Sequence, residues 1–370
     1  MEPNWINLNL STQYGVLYME QDKFISGNIL YIEDHSIKTL NLETKETLLI
    51  SGNSTTPGYR EGVGEDARFN LPYSIHQRGA TDVIILDSKN GCIRTIARET
   101  NETKRIAGFC RIPGDVHGNF NVAEIGRPEK IVKVDADVLA FNDVTSKSIR
   151  MLNLRTEDIS TLVKLQEFVY GLTKKPNSDN LFLSISGGLG RVNVCSGEVV
   201  YLTQGTYNEY APLKDGQLSR AIFSSRPETL YFIDEYTMFI AQFESHILCV
   251  ANFESEYVSS ICDDSARGHF TMSSGDIETC QLRHPNSLLA IPSLNIIIIG
   301  FLDTIGYMEI LGLHSYLPAT SSRCKSKTPS YQIIMIGVAV GSTIFIVLLL
   351  AVVRCRNRRQ PQPASEQTER

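Results

Sequence analysis

Four polar side chains follow a proline at equivalent places in this chain and could act on a ligand together: Tyr73, Glu129, Glu228 and Asn286. Two carboxylates and an amide from separate segments suit a hard cation, which takes oxygen ligands converging from several elements. Glu129, Glu228 and Asn286 are therefore candidate Ca²⁺ ligands; the plainer expectation is a solvated ring of polar residues. No other cofactor is expected. The seven histidines stand singly, no cysteine pair has the C-x-x-C spacing of a zinc site, and no nucleophile–base arrangement can be read from spacing, so no catalytic residue is assigned. Cys92 with Cys110, and Cys262 with Cys280, are candidate disulfides for an oxidising compartment. Cys195, Cys249 and Cys324 complete an odd set before residue 333.

The prolines belong to a repeat. GVGEDARFNLP (62–72), GNFNVAEIGRP (118–128), GQLSRAIFSSRP (216–227) and GDIETCQLRHP (275–285) share a Gly, a small Ala or Cys, an apolar residue and a Pro. An apolar run follows each Pro: VIILD (83–87), VLAFND (138–143), MFIAQF (238–243) and IIIIGF (296–301). Residues 28–52 and 180–205 keep a strand pair without the insert, which makes six units spaced by 43 to 58 residues. Short strands in units of that length describe four-stranded propeller blades, whose faces are buried only against their neighbours. The small residue lets backbones approach, and Pro suits the entry to an innermost strand, where a missing N–H is tolerated.

At these residues the chain resembles the NHL-repeat family of β-propellers. The second unit carries the likeness through Gly62, Ala67, Arg68, Phe69, Asn70, Pro72, Asp87, Ser88, Asn90, Ile93 and Arg94. The third keeps Gly118, Ala123, Ile125, Pro128, Asn142, Asp143, Ile149 and Arg150; the later strands end in Phe243 and Phe301 where the family has Asp. LYIED in the first unit is similar to the low-density-lipoprotein-receptor propeller, but that family's repeated Trp is absent. The resemblance implies an all-β, six-bladed β-propeller over residues 14–317, preceded by a segment at 1–13.

Residues 333–353 are 21 in number and uncharged, enough to cross roughly 30 Å of hydrocarbon as a helix, so a C-terminal transmembrane α-helix is expected after a stem at 314–330. Residues 354–370 form a basic tail with five arginines against two glutamates, which sets the tail in the cytoplasm and the propeller outside. Gly337 and Gly341 form a GxxxG pair that allows homodimerisation, and Cys355 is a lipidation candidate. Asn9, Asn53 and Asn101 head glycosylation sequons. The first 30 residues carry no signal-peptide pattern, so a missing leader is expected over a tail-anchored body. The formal net charge of −6 argues against nucleic acid as a partner. The reading that results is a non-enzymatic surface protein whose propeller binds protein or extracellular matrix, with shedding of the ectodomain as one outcome. The alternatives are a membrane-anchored propeller hydrolase or lyase using Ca²⁺ at the channel mouth, and a tail-anchored cytosolic adaptor.

Overall fold

The computed structural model describes residues 16–21, 27–203, 215–223, 226–262, 284–291, 296–301, 305–309, 331–337 and 347–353. Their strands form six antiparallel sheets. In the second, Pro72–Arg78, Asp82–Asp87, Cys92–Ala97 and Glu102–Ala107 pair in sequence order, and Gly62–Val63 adds an outer edge beside Glu102–Ala107. The third and fifth repeat this plan from Pro128 and Pro227, with outer edges at Gly118–Asn119 and Gly216–Gln217. The first and fourth, whose sequences lack the insert, have four strands each.

The insert's residues explain themselves in this setting. Gly62, Gly118 and Gly216 adopt φ of +147°, +132° and +143°, a conformation that side chains disfavour. Ala67, Ala123 and Ala221 are buried between neighbouring sheets. Burial is a matter of pairs of sheets. Leu30, Ile32 and Ile37 of the first pack with Phe69, Ile75 and Ile85 of the second, and the second, third, fourth and fifth continue the series. Ile29, Tyr31 and Leu40 of the first sheet also pack with Leu289, Ile298 and Ile305 of the last, which closes the ring. Innermost strands touch their neighbours around a central channel.

A second device recurs within the sheets. Asp87 ends the second strand of its sheet and pairs with Cys92, two residues before Arg94; Asp143 stands in the same relation to Arg150. Arg94 is fully buried, donates Nη1 to Asp87 Oδ2 at 3.2 Å and Nη2 to the Arg60 carbonyl at 2.6 Å. Arg150, equally buried, donates to the Glu124 and Val116 carbonyls at 2.6 and 2.8 Å, with Asp143 at 3.6 Å. Each arginine thus ties the insert to the blade. The register places Gln242, not Phe243, at the position of Asp87, and its amide donates to Cys249 at 2.9 Å, a neutral version of the pair. Gly300, rather than Phe301, is the equivalent in the last sheet, and Glu33–Lys38 at 2.7 Å is that of the first.

The helix expected over 333–353 is corrected where it is described. Tyr331–Gly337 and Val347–Val353 are strands added to the last sheet, and among the described residues no helix is long and apolar enough to cross a membrane. Eleven of the 21 residues are β-branched, so the run suits a pleated sheet as well as it suits a bilayer. Gly337 ends a strand instead of pairing helices; Gly341 and Cys355 lie outside the described residues, as do 1–13, the stem at 314–330 and the tail.

Cys92 and Cys110 form a disulfide, fastening the start of a strand to the connection that follows the next one. Cys280 lies outside the described residues, Cys195 is an exposed thiol, and Cys249 is buried. Closing a loop of 18 residues restricts the unfolded chain by about 3 kcal/mol. Replacing both Cys92 and Cys110 by Ala should lower stability by about that amount in denaturant titration, with a larger m-value because the unlinked chain exposes more surface when unfolded.

Candidate functional site

The registers bring one set of strand ends to one face. Pro72 pairs with Asp87, Asp87 with Cys92, and Ile93 with Ala107, so the starts of the innermost strands share a face with the turn Ser88–Asn90 and the connection after Ala107. Pro128, Pro227 and Ser287 follow the same rule. The residues beside these prolines therefore gather at one mouth of the channel.

There they are buried rather than solvated, which corrects the expectation of a wet polar ring: Tyr73, Glu129, Glu228 and Asn286 are 5%, 6%, 2% and 4% exposed. Glu228 is the hub. Arg226 Nε donates to its Oε2 at 2.7 Å, the Tyr73 hydroxyl donates to Oε1 at 2.7 Å, and Lys130 Nζ lies 3.1 Å from Oε1. Arg226 also donates to the Tyr73 hydroxyl at 3.2 Å, and Arg127 pairs with Glu129 at 2.7 Å. Burial pushes the Glu228 carboxyl up, but Lys130, Arg226 and Tyr73 outweigh it and hold it below the usual range. Burial raises Glu129 despite Arg127, and Glu228 adds to the effect. The Tyr73 hydroxyl is pushed well up by burial and then by the two carboxylates, so it remains a donor.

Sequence reasoning found the acids and missed their cations. The signal was present: Arg127-Pro128-Glu129 and Arg226-Pro227-Glu228 repeat one tripeptide, and in extended chain residues i and i+2 lie on one side. This donor set does not suit calcium. Both carboxylates are engaged by arginine and lysine, which a cation would have to displace, and among the described residues no three His, Cys, Asp or Glu side chains converge.

Behind the mouth lies a cavity of about 340 Å³ between innermost strands, lined by Lys130 and Glu228 at this end and by Leu172, Thr173, Leu230 and Leu289 among others. On the face itself, Phe109 and Ile112 are exposed beside the turn Ser88–Asn90, to which the Arg111 N–H is bonded through the Asn90 carbonyl. The same connection carries exposed Val116 and Val122 down the outer edge of the third sheet. Asn53, half-buried, follows the last strand of the first sheet on this face, and Asn101 occupies a turn on the opposite one; Asn9 lies outside the described residues.

Two histidines on this face do the same work. Leu71 and His284, each with φ of +49° and each preceding a repeat proline, donate their N–H groups to Nδ1 of His35 and His246 at 3.0 Å. Each contact joins one sheet to the next and needs a neutral imidazole. Burial lowers the pKa of His35, Asp34 opposes this and Lys89 adds to it. A depressed folded value means stability that is full above the unfolded value of about 6.5 and is lost as pH falls through the folded one. The melting temperature should therefore fall between about pH 7 and pH 5, and His35→Asn, which keeps an acceptor that does not titrate, should flatten part of that slope.

No family model matches the chain, and no curated protein matches it. Among solved structures it is similar to an auxiliary nutrient binding protein from Bacteroides thetaiotaomicron (11% identity, TM-score 0.60, 77% of this chain and 66% of that one). The counterpart from Bacteroides ovatus gives 11%, 0.59, 77% and 67%, so the chain spans about two thirds of the length of both. A streptogramin B lyase structure gives 12% and 0.51, with 82% and 96% covered. The chain is an all-β propeller. At such identities the likeness is one of fold, and the propeller's chemistry must be argued from its own residues.

Proposed function

We propose that this chain is a non-enzymatic surface protein: a six-bladed, NHL-like propeller held outside the cell, which binds a protein or matrix partner through the face that carries the channel mouth. The observation that carries the reading is the stapled apolar strip. Phe109 and Ile112 are 37% and 60% exposed on the mouth face, on a connection anchored by the Cys92–Cys110 disulfide, and exposed Val116 continues it along the outer edge of the third sheet. Apolar side chains presented together on a fastened connection are what a partner's surface covers, and fastening lowers the ordering cost of binding. The disulfide favours an oxidising compartment. A glycan on Asn101 would sit on the opposite face and leave the strip open.

The test is expression of the full chain on cells, supplied with a leader. Endoglycosidase should increase gel mobility, external protease should reach the propeller, and Ile112→Asp with Val116→Asp should abolish adhesion to immobilised matrix without lowering surface display. A propeller protected from external protease and without a mobility shift would contradict the proposal.

A further inference from the structure

Among the described residues the charges at the channel mouth do not balance. Arg127, Lys130 and Arg226 face two carboxylates, Glu129 and Glu228, within 3.1 Å, which leaves one positive charge. The charges acting on Tyr73, Glu129 and Glu228 come from within this set. Lys130 is 6% exposed in its side chain, whereas Arg127 and Arg226 are 45% and 36% exposed, so the excess charge has donors left at the entrance. Lys133 adds a further cation to the lining of the cavity. A second observation concerns an acceptor. Asn286, at the same mouth, has a buried side-chain oxygen with no hydrogen-bond partner, and its own carbonyl accepts from Thr229, a residue that lines the cavity. An orphaned buried acceptor is costly unless a donor arrives.

We propose that the channel mouth binds a small organic hydroxycarboxylate, its carboxylate on the arginines and Lys130, its hydroxyl donating to Asn286, and its short apolar body beside Leu172, Leu230 and Leu289. The arithmetic of charge selects an anion over the calcium ion that the acids alone suggested. The cavity's volume of about 340 Å³ falls in the range of small-molecule sites. Guanidinium groups suit a planar carboxylate through paired hydrogen bonds. This inference is independent of the partner-binding strip, which can stand if it fails.

The experiment is ligand-observed saturation-transfer NMR on the full chain at fixed chloride concentration, with mandelate as the probe. Phenylacetate lacks the hydroxyl, and 1-phenyl-1,2-ethanediol lacks the charge. Mandelate should show saturable transfer, phenylacetate should bind more weakly, and the diol should show none. Arg127→Gln removes a half-exposed partner and should weaken mandelate by about tenfold, read well below a melting temperature that the unpaired Glu129, 8% exposed in its side chain, lowers. Thr173→Phe should fill the channel and abolish binding while the charges stay in place. Transfer to the diol equal to that for mandelate, displacement of mandelate by calcium, no transfer to mandelate, or binding unaffected by both variants would overturn the proposal.

Discussion

Glu228→Gln should destabilise the protein by about 3–5 kcal/mol, whereas Glu129→Gln, at the equivalent repeat position, should lose less than about 1 kcal/mol. The difference lies in their partners. Glu228 neutralises Lys130, 6% exposed in its side chain, and holds Arg226 and the Tyr73 hydroxyl as well. Without that carboxylate a buried ammonium remains unpaired. The partner of Glu129 is Arg127, 45% exposed, which can turn to water when its acid is removed. Thermal melting should show a fall on the order of 10 °C for Glu228→Gln. Adding Lys130→Met should recover part of it, since the interaction of neighbours is not additive. Equal, small effects of the two glutamate variants would mean that the mouth is wet.

The second large effect is expected at Arg94. Arg94→Ala removes a guanidinium that satisfies Asp87 and the carbonyls of Arg60 and Arg68, all in a site closed to solvent, and should cost about 3–5 kcal/mol. Its pH dependence is distinctive. Burial pushes Asp87 up to about 6 even though Arg94, Asn90 and the Asn70 N–H pull it down. A raised folded value means stability that is full below the unfolded value of about 3.9 and is lost as pH rises through about 6. Removing Arg94 raises that carboxyl further, so the penalty measured by denaturant titration should grow from about pH 5 to about pH 8. This slope is opposite in sign to that of His35. A penalty independent of pH would mean that Arg94 acts by packing over Phe69, 4.5 Å from its ring centroid, and not by charge.

The repeat made much of the fold legible. The Gly, Ala and Pro of the insert are read correctly from sequence because each answers a backbone demand that recurs: a positive φ, a close approach, a strand start without an N–H. Asp87 and Arg94 were legible as a pattern, but their role was not, because it depends on register across two strands. Register is also what reassigns the position from Phe243 to Gln242. The mouth was half legible. Repeat spacing brought Tyr73, Glu129, Glu228 and Asn286 together, yet burial, which turns a polar ring into an ion network, is a property of the closed ring. The segment 333–353 was misread as helical in the described parts because an uncharged, β-branched run satisfies two environments equally.

On the proposed function, one face of the propeller meets a partner outside the cell. A photo-reactive residue at Ile112, on that face, and another at Asn177, in an exposed turn at the opposite end of the fourth sheet, test it directly in the full chain displayed on cells. A discrete covalent adduct with an extracellular protein is expected from position 112, lost when Phe109 and Val116 are changed to Asp, and none from position 177. Adducts from position 177 alone, from both positions alike, or from neither would contradict it.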